Sequence, residues 1–297
     1  MNDKPSAAVH PDVSVSDALL NAALDVLGEA RAALDDPART DAVAVHDYRK
    51  AMKRWRALLR LIDPFIADDG QRLRHEARDL ARELAGARDA QSALDALGDV
   101  ADVATLTPGS RAAILRRVAE VKQSAEATTL TDAMRGRLRA ALTVAELATV
   151  SWPLSRIGFS DLARELAVAY ARARDTIPAD WTNASAEQLH ELRKRVVAHR
   201  YQMELVEPLW PRMGKLWIGE AQRLRDRLGA HHDLSTLAGL LAPHQLLARW
   251  RSRLSAPIAA RQAAHAAASA KLAGRLFAER PKAFRRRLEA LWESGGG

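Results

Sequence analysis

An eleven-residue frame, H-x-x-R-K-x-x-x-x-x-R, occurs twice in this chain and limits what the chain can fold into. Residues 45–62 read VHDYRKAMKRWRALLRLI, and residues 189–206 read LHELRKRVVAHRYQMELV. His46, Arg49, Lys50 and Arg56 match His190, Arg193, Lys194 and Arg200, each 144 positions later. The same offset relates Ser16-Asp17 to Ser160-Asp161, and Asp89 to Asp233. Separated landmarks in one register identify an internal repeat of about half the chain. A weaker R-x-R-L match joins Arg135–Leu138 to Arg285–Leu288 near the end of each half, at a slightly larger offset.

The repeat is helical. Ala, Leu, Arg and Glu dominate, period-2 runs of Val, Ile and Thr are missing, and Gly and Pro stand at punctuation points. An all-α chain follows. Apolar periodicity predicts helices over 15–34, 41–62, 70–86, 90–102, 110–127 and 130–149. In the second half it predicts helices over 160–176, 185–206, 213–228, 234–241, 244–272 and 281–293. The natural packing is two four-helix bundles, one per repeat, over 15–150 and 158–293. They should be related by a pseudo-two-fold axis, with a basic groove between or across them. Residues 1–14 and 294–297 are expected as flexible tails.

The chemistry is concentrated on the first copy of the frame. On a helical wheel with His46 at 0°, Arg49, Lys50, Lys53, Arg56 and Arg60 fall between about 280° and 40°. Tyr48, Met52, Trp55, Leu58, Leu59 and Ile62 occupy the opposite side, at about 120–240°. The i,i+4 neighbours on the polar face are His46–Lys50, Arg49–Lys53 and Arg56–Arg60. Like charges at this spacing repel by a few tenths of a kcal/mol each. An anionic partner would supply the missing charge. In the second copy Val197 and Glu204 replace Lys53 and Arg60, so that strip is thinner, with Glu204 placed to pair with Arg200.

Further basic residues follow each frame. His75, Arg78 and Arg82 form one stripe in QRLRHEARDLARELAGARD, residues 71–89. Their counterparts in the second half are Gly219, Gln222 and Asp226, with Arg223 or Arg225 as replacements. If the helices of a half lie side by side, the strips merge into one groove. Arg suits it, because its fork holds phosphate oxygens bidentately. The candidate polyanion ligands are therefore His46, Arg49, Lys50, Lys53, Arg56, Arg60, His75, Arg78, Arg82, Arg135, His190, Arg193, Lys194, Arg200, Tyr201, Arg225 and Arg285. Asp89 and Asp233 read either as helix N-caps or as carboxylates that orient a basic side chain or the frame histidine.

Charge is organised rather than merely abundant. Residues 1–150 carry 21 Lys/Arg and 23 Asp/Glu, and residues 151–297 carry 24 and 14, yet the near-neutral half holds the denser strip. With no cysteine in the chain, thiolate chemistry and thiol-ligated metals are excluded. No apolar run reaches membrane-spanning length and no signal-peptide pattern opens the chain, so a cytoplasmic protein without a membrane partner is expected. No P-loop and no G-x-S-x-G is present. His231-His232-Asp233, with His190 as a third ligand, is the one constellation resembling a metal-dependent phosphohydrolase, but no acidic ligand set surrounds it. A binding protein without catalysis, metal or cofactor is the expectation. A nucleic-acid binder follows from the same charge logic, although the sequence offers few aromatics for stacking.

The duplicated H-x-x-R-K at the head of a helix, followed in each half by L-x-G or L-G and then Asp, resembles the CHAD family (conserved histidine α-helical domain). The resemblance covers about residues 15–293. It implies two four-helix bundles in pseudo-two-fold relation with a basic groove where they meet. It also implies binding of inorganic polyphosphate, often at polyphosphate granules. Many members are fused to a CYTH domain, whose E-x-E-x-K start is absent here, so a stand-alone member is expected. Val197, Ala198 and Glu204 depart from the pattern of the first copy.

Overall fold

A computed structural model of the chain describes residues 9–86, 88–102 and 106–295, with side chains for all of these except 127 and 128. The tail residues 1–8 and 296–297 lie outside the described residues. Eleven α-helices and no strand are present among the described residues. They are α1 (Val15–Asp35), α2 (Asp41–Ile62), α3 (Asp68–Glu83), α4 (Arg88–Asp99), α5 (Pro108–Thr129), α6 (Asp132–Val150), α7 (Phe159–Asp175), α8 (Ala186–Leu205), α9 (Pro211–Leu240), α10 (Arg251–Leu276) and α11 (Pro281–Gly295).

Local chemistry fixes several starts. The hydroxyls of Thr40, Thr107, Thr131 and Ser185 accept the N–H groups of Val43, Ser110, Met134 and Gln188 at 3.1–3.4 Å. Gln188 Oε1 in turn accepts the Ser185 N–H at 2.9 Å, which closes a capping box. Pro108, Pro211 and Pro281 stand at first helical positions, where no N–H is needed. A 3₁₀ turn follows α2 at Asp63–Phe65 and follows α8 at Glu207–Leu209, 144 positions on. A glycine faces each turn. A Cβ on Gly70 would lie 2.4 Å from Asp63 Oδ1, and one on Gly214 would lie 2.8 Å from Glu207 Cγ. This glycine pair, also 144 apart, lets the next helix start against the turn.

The larger core draws α1, α2, α3 and α6 from the first half and α7, α8, α9, α11 and the C-terminal end of α10 from the second. Its buried side chains form one continuous cluster that includes Trp55, Leu73, Leu142, Tyr170, Val196, Leu228 and Phe284. The halves join where α2 meets α8, and there the buried Gln202 donates from Nε2 to the Ala57 carbonyl at 3.1 Å. Trp152, in the connection between halves, stacks on Trp55 with ring centroids 5.8 Å apart.

A second, smaller core extends the two-bundle expectation. Ala90, Ala93, Leu97 and Ile114 from α4 and α5 pack against Leu234, Leu237, Leu254 and Ile258 from α9 and α10. Bundles drawn over 15–150 and 158–293 therefore do not each hold a private core, because this one is built from both. The separate helices expected at 213–228 and 234–241 are the single helix α9, which runs through Gly229 without a break. Gly229 has no positive φ. A Cβ there would lie 3.4 Å from Arg193 Nε, so this glycine makes room for a side chain of α8 rather than ending a helix. The helix expected from 244 begins at Arg251, after a turn in which His244 takes φ 65°. Residues 9–14, expected as tail, are tied down: Val9 is fully buried and its N–H donates to the Leu205 carbonyl at 2.8 Å. Residues 294 and 295, expected in the C-terminal tail, continue α11.

One polar tie crosses the second core. His265 Nε2 donates to Asp99 Oδ2 at 2.7 Å, and Arg261 bonds the other carboxylate oxygen. Burial alone would raise the Asp99 pKa, but the bonds from Arg261 and His265 outweigh it and hold the carboxyl below its usual range. The stabilisation is therefore present above an unfolded pKa near 3.9 and is lost as pH falls through the depressed folded value. Asp99→Asn should cost about 2 kcal/mol at pH 7, and that difference from wild type should shrink progressively as pH falls below the unfolded value of about 3.9, as measured by urea unfolding. An equal cost across that range would show that shape rather than charge is at work.

Candidate anion-binding groove

The basic face of α2 opens onto two cavities. The first, about 530 Å³, lies between α2, α3, α7 and α8. Arg49, Arg56 and Arg60 enter from α2, Arg78 and Arg82 from α3, Arg172 from α7, and His190, Lys194 and Arg195 from α8. The second, about 900 Å³, is bounded by α2, α4, α5, α8 and α9. Its basic wall is His46, Arg49, Lys50 and Lys53 from α2, with Arg88, Lys122, Arg200 and Arg225 from the other helices. Arg49 belongs to both walls.

The cavities repeat one plan by exchange. His190, Lys194, Arg56 and Arg78 of the first stand 144 positions from His46, Lys50, Arg200 and Gln222 of the second. In each, the His and Lys of one copy share a cavity with the late Arg of the other copy. Neither half completes a cavity alone.

The cations are poorly neutralised. Lys50, Lys53, Arg56, Arg60, Arg88, Arg172 and Arg193 have no carboxylate within ion-pair distance among the described residues. Burial, then the charges of Arg88, Arg193, Arg49 and Arg225, push Lys53 down to about 7. Burial and neighbouring arginines bring Arg60 and Arg193 down to about 10, still charged at neutral pH. Arg49 and Arg56 are lowered for the same reasons, and Arg49 donates to the Ala81 carbonyl instead of an acid. His190 meets His232 with ring centroids 4.4 Å apart and the rings tilted by 34°. Burial, then His232, hold it down to about 4, so its ring is neutral and offers one N–H. Buried polar atoms without partners gather here: Arg56 Nε, Arg193 Nε, His190 Nδ1, Asp233 Oδ1 and Gln202 Oε1. Such atoms are rare in a folded interior.

The structure sorts the expected ligands. Lining the first cavity are Arg49, Arg56, Arg60, Arg78, Arg82, His190 and Lys194, and lining the second are His46, Arg49, Lys50, Lys53, Arg200, Tyr201 and Arg225. Arg193 is half-buried between α8 and α9, against Gly229. Three expected residues stand elsewhere. His75 is exposed one turn before Arg78 and lines neither cavity. Arg135 clamps the end of α1 to the start of α2, donating to the Leu34 carbonyl and, at 2.7 Å, to Asp41. Arg285 ties α11 to α7 through Glu289 at 2.9 Å and Ser160 at 3.1 Å. The R-x-R-L echo is thus structural, and each of its arginines is spent on packing.

Asp233 sits inside α9 and caps no helix, while Asp89 lies in the first turn of α4. Its charge and that of Asp233 act on Arg49 and Arg193 respectively and partly offset the lowering that burial and neighbouring arginines impose. His231 and His232, expected at a helix end, are mid-helix and diverge. His231 is buried, with the charge of His265 acting on it, whereas His232 meets His190. No group of three or more His, Cys, Asp or Glu among the described residues could hold a metal ion. Four cavity cations went unread in the sequence: Arg88, Lys122, Arg172 and Arg195. Arg88 had a usable signal, its place beside the repeated Asp89; Arg172 stands where the first half has Gly28 and had none.

The depressed Lys53 gives a test. Below about pH 7 both folded and unfolded chains carry its proton, so the cost of charging it is full. Between about 7 and 10.5 the unfolded chain holds more protons than the folded one, and the cost fades. Lys53→Met should therefore stabilise the free protein by more than about 1 kcal/mol at pH 6, and the gain should be largely gone by pH 10.5, as read by urea unfolding.

A family model of the CHAD domain matches residues 18–242. Comparison with curated protein sequences finds no match. Among solved structures, the crystal structure of the CHAD domain from the plant Ricinus communis superposes with a TM-score of 0.57 at 21% identity, covering 99% of this chain and 98% of that one. At that identity the likeness speaks for the fold. With two repeats of the histidine frame meeting in an all-helical fold, and the family match spanning most of its length, the chain belongs to the CHAD domain family.

Proposed function

We propose that the protein binds inorganic polyphosphate along the groove, with polyphosphate granules as its cellular setting. One observation carries this reading: the first copy of the frame places the half-buried Arg49 and Arg56, which have no carboxylate partner among the described residues, on the walls of cavities that the second copy completes with His190, Lys194 and Arg200. The family is associated with polyphosphate binding in general. A linear polyphosphate presents only repeating anionic oxygens, and forked guanidiniums together with a lysine and a neutral histidine suffice to hold it. From His46 to Arg60 the strip runs roughly 21 Å along α2 at 1.5 Å per residue. Affinity should rise with chain length until that span is filled, and fall steeply with salt as counterion release weakens.

Nucleic acid is the weaker reading. Tyr201 is the one Phe, Tyr or Trp on either cavity wall, and Arg200 already covers it at 4.2 Å. Bases would find no stacking surface. The comparison to make is long-chain polyphosphate against RNA and DNA of equal charge at one ionic strength. Equal affinity for RNA would remove the case for a dedicated polyphosphate groove.

Variants separate a groove from diffuse charge. Arg49→Ala with Lys53→Ala, and Arg193→Ala with Lys194→Ala, should each weaken polyphosphate binding at least about tenfold. Arg251→Ala with Arg253→Ala removes the same charge from exposed positions and should change affinity little. Equal losses in all three would mean that any basic surface serves.

Turnover is not part of the proposal. The purified protein should release no orthophosphate from polyphosphate, with or without Mg²⁺. Release that disappears in His232→Ala or Asp233→Asn would instead establish a phosphohydrolase.

A further inference from the structure

We propose that Lys53 is an acylation site selective for anionic acyl donors, acyl phosphates above all, and that its acylation weakens the groove; the second half of the proposal rests on the polyphosphate reading. Lys53 is half-buried on the wall of the larger cavity and has no hydrogen bond or ion pair among the described residues. Positive charge acts on it from four helices, through Arg49 of α2, Arg88 of α4, Arg193 of α8 and Arg225 of α9. The other basic groups on that wall, His46, Lys50, Lys122 and Arg200, bring it no acid. The wall's three carboxylates are engaged elsewhere: Asp41 with Arg135 at 2.7 Å, Asp95 with Gln91 at 2.7 Å, and Glu126 with Lys122 at 3.5 Å.

A guanidinium keeps its proton under such crowding, and an ammonium does not. The repulsion is therefore relieved at Lys53, the half-buried lysine of that wall without an acid partner among the described residues, consistent with its value of about 7. The result is an amine with a free lone pair inside a cavity that attracts anions, the arrangement that activates a lysine as a nucleophile. An acyl phosphate matches both features, because its phosphoryl end is an anion for the arginines and its carbonyl is an electrophile for the amine.

The step balances without an oxidant or a metal. Lys53 Nζ attacks the carbonyl carbon and forms the C–N bond. The bond from that carbon to the bridging oxygen breaks, and inorganic phosphate leaves with the electron pair. The proton lost from nitrogen passes to phosphate or water. Neighbouring guanidiniums stabilise the oxyanion that forms on the way. The product amide can no longer take up a proton when a polyanion arrives, so the groove holds one cation fewer against its ligand.

The test uses the intact protein and acetyl phosphate at pH 7.5, with site occupancy followed by peptide mass spectrometry. Lys53 should acetylate roughly tenfold faster than the exposed Lys271 and Lys282, since an ordinary lysine is only about 0.1% neutral at that pH. Arg193→Ala should reduce the selectivity for acetyl phosphate, and less so for a neutral N-hydroxysuccinimide ester. Equal rates at Lys53, Lys271 and Lys282 would overturn the proposal. Long-chain polyphosphate should protect Lys53. Selective acetylation that polyphosphate does not block would support the reactive lysine and count against the polyphosphate reading, whereas polyphosphate binding without selective acetylation would do the reverse.

Discussion

Unneutralised positive charge along the contact of α2 and α8 is the constraint around which the rest of the chain is arranged. Lys53, Arg56, Arg60 and Arg193 are half-buried together with no carboxylate within ion-pair distance among the described residues. Left free, two such helices would separate or draw in carboxylates. They stay together because the far side of α2 is anchored in the larger core by Tyr48, Met52, Trp55 and Leu59, all nearly fully buried. Each such side chain contributes about 1.5–3 kcal/mol when buried. Repulsion between half-solvated cations is a smaller quantity per pair. Apolar anchoring wins, and the cations are held side by side despite their repulsion.

The duplicated cavities have diverged in character. Lys53 has Val197 as its counterpart, Arg60 has Glu204, and Arg78 has Gln222. Glu204 bonds Arg200, so the late Arg of the second copy is partly satisfied within its own helix, whereas Arg56 is not. The first cavity has Glu191 as its one carboxylate, bonded to Lys194 at 3.2 Å and Arg195 at 3.1 Å, while the second has three. One cavity is a dense arginine wall, and the other is a mixed wall containing an easily deprotonated lysine.

Much of this was legible because it is local. The wheel over 46–60 separated a basic from an apolar face, and burial follows that division: Tyr48, Trp55 and Leu59 lie inside and His46 and Lys50 outside. The all-helical class and most helix limits came from the 3.6-residue period and the Ser, Thr and Pro starts. Reading each half as a unit concealed the exchange, in which one copy's His and Lys meet the other copy's Arg. Spacing within a copy carries no sign of that. Gly229 was misleading for a related reason: a glycine near an apparent helix end resembles a stop, yet this one accommodates Arg193 from a different helix. Arg135 and Arg285 share a motif with one another but no cavity, since repeated residues can be repeated for packing.

The second core carries a consequence for the order in which the molecule comes into being. α4 packs against a part of α9 that lies about 140 residues further on, with Ala93 and Leu237 in one cluster. At synthesis rates of roughly 5–20 residues per second, α4 is complete on the order of ten seconds before its partner exists. During that interval its inward face is open to other chains. That face is largely small, with Ala90, Ser92, Ala93 and Ala96 beside Leu97 and the partly buried Leu94. Small side chains give little apolar area for a stray contact, so the composition that makes this core modest also makes the nascent chain safe to leave waiting.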